Sequence, residues 1–326
     1  MEDWKAFLSE ANTKFESIKN NREMLFDLTD QGLVQVSGED AESFLQNQLT
    51  NDIRNVTETN HQASAWCNPK GRIIANFQIF MRDGSYFLVL SADLVEHVIK
   101  KLRMYVMMSK VTIEDVSESV FHFAYAGDLQ KILGDAVPST PNQTVQYNNL
   151  SILRHSDSEP RYEIFTDNTN DAKQFWEQCA TDALIVNNDG WNYLNIAAGL
   201  PVICKASSEA WVPQMVNYIA IGGVDFKKGC YPGQEIVARL NYLGKSKRRM
   251  YRLLIDSNQL PSIGDVIASD SDKAAGKILN AALNPDGKVE ALAVLKIAEV
   301  DKKLILAFDK TVTLSLLSLP YSIDNE

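Results

Sequence analysis

From Met250 onward the chain reads as six short β-runs separated by turn residues: Tyr251–Ile255, Val266–Ala268, Gly276–Asn280, Ala291–Ile297, Lys303–Phe308 and Val312–Leu317. So many short strands in one stretch suit a small closed barrel, because closure leaves no edge unpaired and gives each strand an inward apolar face. This tail constrains the rest, since everything upstream must fold around a separate core.

Upstream the pattern is mixed. Met24–Val36 reads as two strands around the turn Asp30-Gln31-Gly32, and Asp40 is placed to cap a helix carrying Phe44, Leu45 and Leu49. Asn68-Pro69-Lys70-Gly71 and Arg82-Asp83-Gly84-Ser85 are turns between β-rich runs. Ser91–Met107 suits a helix and Val111–Ile113 a strand. Strands are expected at Phe121–Ala126, Leu150–Arg154 and Tyr162–Phe165, and helices at Leu129–Leu133 and Asp171–Ala180, with a surface loop at Pro138–Asn142. Trp191–Ala198 reads as a helix stopped by Gly199 and Pro201. The stretch 204–226 shows only weak periodicity. The chain divides on this reading into α+β parts at 1–119 and 120–245 and a barrel at 246–326.

Composition narrows the function classes. Of 326 residues 45% are hydrophobic and 23% charged, the balance of a soluble globular chain. No apolar run approaches the roughly 20 residues of a bilayer span. Met1-Glu2-Asp3-Trp4-Lys5 opens no secretory leader, so the cytoplasm is the expected setting and no membrane partner is expected. Cys67, Cys179, Cys204 and Cys230 are widely and irregularly spaced, as are the four histidines. Neither a disulfide framework nor a metal site held by this chain alone is expected.

The net charge is −10, yet Lys227 to Arg252 holds eight basic residues and one acid, Glu235. The segment can attract an anion locally, or it can be an ordinary solvated loop. It opens with Lys227-Lys228-Gly229-Cys230-Tyr231-Pro232-Gly233-Gln234-Glu235. With Pro232 at the first helical position, Tyr231 becomes the cap and Pro232–Leu240 the helix. Cys230 then sits by the positive helix end, beside two lysines, a setting that favours thiolate over thiol. No histidine stands nearby in sequence as a base. The pattern suits reversible thiol chemistry better than acyl transfer; the competing reading is a small buried residue ahead of a helix.

Lys228-Gly229-Cys230-Tyr231-Pro232-Gly233-Gln234-Glu235 resembles the K-G-C-Y-x-G-Q-E signature of the YgfZ family of folate-binding, tRNA-modifying proteins. Three more stretches resemble that family in order and separation: Phe44–Asp52, Asn68–Arg72 and Trp191–Pro201. The resemblance implies an α+β, aminomethyltransferase-like fold: two α+β units and a C-terminal β-barrel around a central channel that takes tetrahydrofolate. It implies a folate-binding accessory protein that supports iron–sulfur enzymes such as radical-SAM tRNA methylthiotransferases. In that reading Cys230 is the working thiol. Trp191 is expected to stack on folate, Gln31 stands where some relatives place a second folate-facing tryptophan, and Lys228 and Arg239 are expected to meet the glutamate tail or phosphates.

Two departures bear on chemistry. The aminomethyltransferase has a glutamate where Ala197 stands, which weakens the expectation for a pterin. It also has an acid in the stretch matching Arg72–Phe77, where this chain has none. A folate-dependent aminomethyl transferase is therefore the alternative, together with a module that binds tRNA directly through Lys227–Arg252.

Overall fold

The computed structural model describes residues 2–10, 16–19, 22–155, 159–244, 246–271 and 273–323. They group into two compact units. One comprises Met1–Phe44, Ile53–Gln62 and Gln78–Trp191, the other Leu45–Asp52, Ala63–Phe77 and Asn192–Glu326.

The first unit is organised by a six-stranded sheet. Its strands run in the order Leu184–Val186, Met24–Asp27, Phe121–Ala126, Arg161–Thr166, Leu150–Arg154, Thr144–Tyr147. The two central strands, Phe121–Ala126 and Arg161–Thr166, are buried at every position, so both sheet faces are covered. Side chains alternate along a strand. Phe121, Phe123 and Tyr125 therefore face one way with Tyr162 and Ile164, and pack with Trp4, Phe175 and Trp176 from the helices Glu2–Glu10 and Thr169–Ala180. Asn168 caps the second of these helices, accepting from the backbone N–H of Asn170 and Asp171. The opposite face carries His122, Arg161, Glu163 and Phe165. In the same unit Gln78–Arg82 pairs with Ser85–Leu90, that strand with Gly32–Ser37, and Gly32–Ser37 with Thr112–Asp115.

In the second unit the Gln62–Cys67 strand turns at Asn68–Arg72 into the start of Ile73–Arg82. Asn68 Oδ1 accepts from the N–H of Lys70 and Arg72, the local bonding that makes Asn a turn residue. All six C-terminal runs form strands, and they close into a barrel: Arg248–Ile255, Val289–Lys296, Gly276–Leu283, Val266–Ser269, Leu304–Leu306 and Thr313–Leu317. Its interior is filled by Leu253, Ile255, Ile267, Ile278, Ala291, Ala293 and Leu295.

Several expected elements differ in detail. The helix begun after Asp40 stops at Gln46, and Leu49 sits instead in a bridge to Trp66. The strands Thr144–Tyr147 and Leu184–Val186 were not anticipated. The weakly periodic stretch before the signature is mostly irregular, apart from the short turn of helix Pro213–Val216. Its backbone is held by turn bonds, such as Gly223 N to Tyr218 O at 2.8 Å, and by side chains: Thr50 Oγ1 donates to Gly223 O at 2.7 Å and Asn51 Nδ2 to Gly222 O at 2.8 Å. Among the described residues no helix is long and apolar enough to cross a membrane.

Candidate functional site

The signature segment lies in the second unit. The helix runs Gln234–Leu243 with Gly233 as its N-cap at φ +80°, not Pro232–Leu240 with Tyr231 as cap. The reason is steric. A Cβ on Gly233 would lie 2.4 Å from the Asn68 carbonyl oxygen and 2.7 Å from Gly71. Gly71, itself at φ +70°, makes the facing surface. Only glycine fits both positions, so the Asn68–Arg72 turn and the signature loop form one packed piece.

Lys228 was expected to reach a ligand. Instead it is 6% exposed, with its ammonium bonded to three backbone carbonyls: Gln46 at 2.6 Å, Leu49 at 2.5 Å and Asn51 at 3.1 Å. An ammonium has three donors, and all three are spent on the loop following the helix Ala41–Gln46. The same Nζ lies 5.4 Å from the Tyr231 ring centroid. Tyr231 is buried as well. Between these two anchors Gly229 and Cys230 are exposed, and a Cβ added to Gly229 would meet nothing. Cys230 is therefore displayed on a two-residue span pinned at both ends. The other cysteines differ: burial pushes the Cys67 thiol up to about 12, Cys179 is likewise buried and raised, and Cys204 is half-buried. Arg239, on the helix that follows, is exposed.

Two further positions of the second unit bear on transfer chemistry. Asn76, in the acid-free run Arg72–Phe77, accepts from Ile203 N and donates to Pro201 O, both at 2.8 Å. Ala197 contributes its carbonyl to Arg252, whose guanidinium is paired with Glu290 at 2.6 Å.

Gln31 and Trp191 lie in the first unit. Gln31 is half-buried and its Nε2 donates to Asn188 Oδ1 at 3.4 Å. Trp191, expected to offer a ring for stacking, is 1% exposed. The Arg161 guanidinium lies 4.7 Å over the ring, with Phe26 at 5.4 Å and the His155 edge at 5.5 Å. Its faces are thus packed by protein, because the strand Arg161–Thr166 brings a buried cation that needs a π partner.

The sequence reading missed the polar cluster around that ring. Glu163 accepts from His122 Nε2 and His155 Nε2, each at 2.7 Å, and all three residues are buried. Burial alone would raise the Glu163 carboxyl, but the two imidazole hydrogen bonds and their charge outweigh it and hold it well below the usual carboxylate range. His61 lies 6.1 Å from the His155 ring, with Nε2 bonded to Arg154 O at 2.9 Å and Nδ1 to Gln78. A signal existed in the sequence: His122 and Glu163 stand inside the expected strands Phe121–Ala126 and Tyr162–Phe165, with Arg161 just ahead of the second, and polar groups on strands whose other residues are apolar need partners. Among the described residues no group of three His, Cys, Asp or Glu is arranged to hold a metal ion.

Comparison with known proteins accords with these features. Residues 13–179 match the family described as GCVT N-terminal domain. The fold is similar to the glycine cleavage system aminomethyltransferase T of Bartonella henselae, with a TM-score of 0.73 at 17% identity, covering 97% of this chain and 96% of that one. The chain is 33% identical over 308 residues to the tRNA-modifying protein YgfZ of Escherichia coli O7:K1, covering 92% of this chain and 94% of that protein. It is 32% identical over 306 residues to the protein of the same name from Yersinia pseudotuberculosis, covering 92% of each. With an aminomethyltransferase-like α+β fold, a closed C-terminal barrel and this degree of identity along nearly its whole length, the chain belongs to the YgfZ family.

Proposed function

We propose that this protein is a cytoplasmic, folate-binding accessory factor for tRNA modification that serves iron–sulfur enzymes of the radical-SAM methylthiotransferase type, with Cys230 as its working thiol. The observation that carries the reading is the display of Cys230, exposed between the buried anchors Lys228 and Tyr231. A thiol held out in this way can reach a partner's cluster or disulfide, which a buried one cannot. The relatives named tRNA-modifying protein YgfZ supply the process. The aminomethyl-transferase alternative is less well supported, because Asn76 spends its side-chain amide on backbone and carries no base.

The folate half of the proposal draws on the fold. Of the four side chains expected to touch folate, Lys228 and Trp191 are committed to protein partners. Gln31 keeps an amide on one long hydrogen bond and Arg239 an exposed guanidinium, each by itself a group suited to a polar edge or a carboxylate. Bound folate would supply a one-carbon carrier or a ligand signal. Titration calorimetry with tetrahydrofolate is expected to give a measurable heat of binding; a flat titration removes folate from the reading.

The thiol is tested in a bacterium lacking its own YgfZ-type gene. The wild-type protein is expected to restore methylthiolated tRNA and the Cys230→Ala variant to lose at least about tenfold of that restoration, while melting at the same temperature, since an exposed side chain contributes little to stability. Equal restoration by both proteins would reduce Cys230 to a spacer.

A further inference from the structure

We infer that the turn Met107–Met108, together with Met104, is a site of reversible oxidation, at which a peroxide converts the thioethers to sulfoxides and turns an apolar tip into a polar one. The inference stands apart from the accessory-factor reading above.

The helix Val95–Val106 packs inward through Val98, Ile99 and Leu102 and stops at a tight turn in the first unit. Ser109 N donates to Val106 O at 2.8 Å, so Met107 and Met108 are the central residues of a β-turn. Met107 has φ +42° and ψ −106°, close to the roughly +60° and −120° that open a type II′ turn. That position ordinarily takes glycine, because a side chain there is strained. Both flanks are held. Leu102 is fully buried on one side; on the other, Lys110 N donates to Asp40 Oδ2 at 2.8 Å and Lys110 O accepts from Asp40 N. The frame keeps the turn in a conformation that its own residues disfavour.

The side chains on this turn contribute little to the fold. Met107 is 88% exposed, Met108 95%, and Met104, in the last turn of the helix, 64%. Met24 and Met250 are buried, and Met81 and Met215 half-buried, so among the described residues every exposed methionine falls between 104 and 108. Methionine is ordinarily a buried residue. Glycine at 107 would relieve the backbone, and a polar residue at 108 would suit water. What methionine offers in their place is a sulfur that dissolved oxidants reach.

The sulfur lone pair attacks one oxygen of the peroxide. An S–O bond forms, the O–O bond breaks, and the sulfur is oxidised by two electrons. With hydrogen peroxide the other oxygen leaves as water, carrying both protons. A dithiol reductase reverses the step: the sulfoxide oxygen departs as water and the dithiol becomes a disulfide. A thioether has no proton to lose, so exposure decides which methionine reacts, whereas a thiol must first ionise.

The test treats the full-length protein, with Cys230 alkylated beforehand, with hydrogen peroxide. Peptide mass spectrometry is expected to show sulfoxide forming at Met104, Met107 and Met108 at least about tenfold faster than at Met24 and Met250, which react only when the fold opens. Equal rates overturn the inference. On a hydrophobic-interaction column the oxidised protein is expected to elute earlier. The Met104→Leu/Met107→Leu/Met108→Leu variant keeps the apolar volume without the sulfur, and its elution is expected not to change after peroxide. An equal shift in that variant places the effect elsewhere and overturns the inference, as does no shift in the wild type. Methionine sulfoxide reductases for both epimers, with a dithiol, should restore the original retention; a shift that persists removes the reversibility and the inference with it. Met107→Gly is expected to raise the melting temperature, because glycine removes the strain of the turn. A lower melting temperature would show that Met107 serves the fold, and the claim on its sulfur would fall.

Discussion

Replacing Lys228 by methionine is expected to lower the stability of the folded chain by about 3–5 kcal/mol. Each carbonyl left without a donor in a buried setting costs roughly 1–3 kcal/mol, and part of that is recovered because an ammonium no longer has to be desolvated. Three carbonyls, those of Gln46, Leu49 and Asn51, lose their donor at once. The cation over the Tyr231 ring goes with them. Lys228→Arg should recover only part of the loss. A planar guanidinium directs its donors in a fork, and three carbonyls gathered around one point suit the compact ammonium better. Urea unfolding of the three proteins measures the difference; a loss below about 1 kcal/mol for Lys228→Met would mean that the three bonds carry little. The same variants bear on the display of Cys230. If Lys228 is one of its two anchors, the methionine variant should alter the rate of Cys230 alkylation even under conditions where it remains folded. A lysine with no part in the display would leave that rate in place.

The fate of Lys228 shows where sequence reading reaches and where it stops. The lysine, the cysteine and the two glycines were legible as a motif because they are adjacent in the chain. That the ammonium turns inward, to a loop some 180 residues earlier in the chain, depends on tertiary packing that adjacency does not encode. The barrel was legible for the opposite reason. Half of its pairings, such as Gly276–Leu283 with Val289–Lys296, join antiparallel neighbours in the sequence, so alternation and turn residues state them locally. The parallel pairing of Leu184–Val186 with Met24–Asp27 joins distant segments and leaves no such local trace. Trp191 was placed correctly on a helix, but which of its faces is covered is decided by Arg161 and His155 on other elements. The glycine pair Gly71 and Gly233 is intermediate: Gly71 reads as a turn in the sequence, Gly233 falls inside the expected helix Pro232–Leu240, and only their contact explains why both must be glycine.

Acid should destabilise the first unit in two overlapping windows. His61 is held as the neutral ring. Its Nε2–H donates to the Arg154 carbonyl and its Nδ1 accepts from Gln78, so a second ring proton would face an amide donor. Burial first, and then the neighbouring His155, bring its pKa down from 6.5 to about 3, while the Arg154 carbonyl and Glu163 oppose that shift without reversing it. The unfolded chain therefore binds a proton that the folded chain refuses. The stability involved is complete above pH 6.5 and drains away as the pH falls toward 3. At about 1.36 kcal/mol per unit, the shift is worth on the order of 5 kcal/mol. Glu163 acts in the same direction lower down. Its folded carboxyl titrates well below the ordinary value of 4.5, so its contribution is present above 4.5 and is lost as acid protonates the carboxylate between His122 and His155. Urea unfolding at pH 7, 6, 5 and 4 should show stability falling steadily, and His61→Gln, which keeps a donor and an acceptor but does not titrate, should flatten the upper part of that fall. The same slope in both proteins between pH 6.5 and 5 would mean that His61 is protonated in the fold, and the assignment of its neutral ring would have to be abandoned.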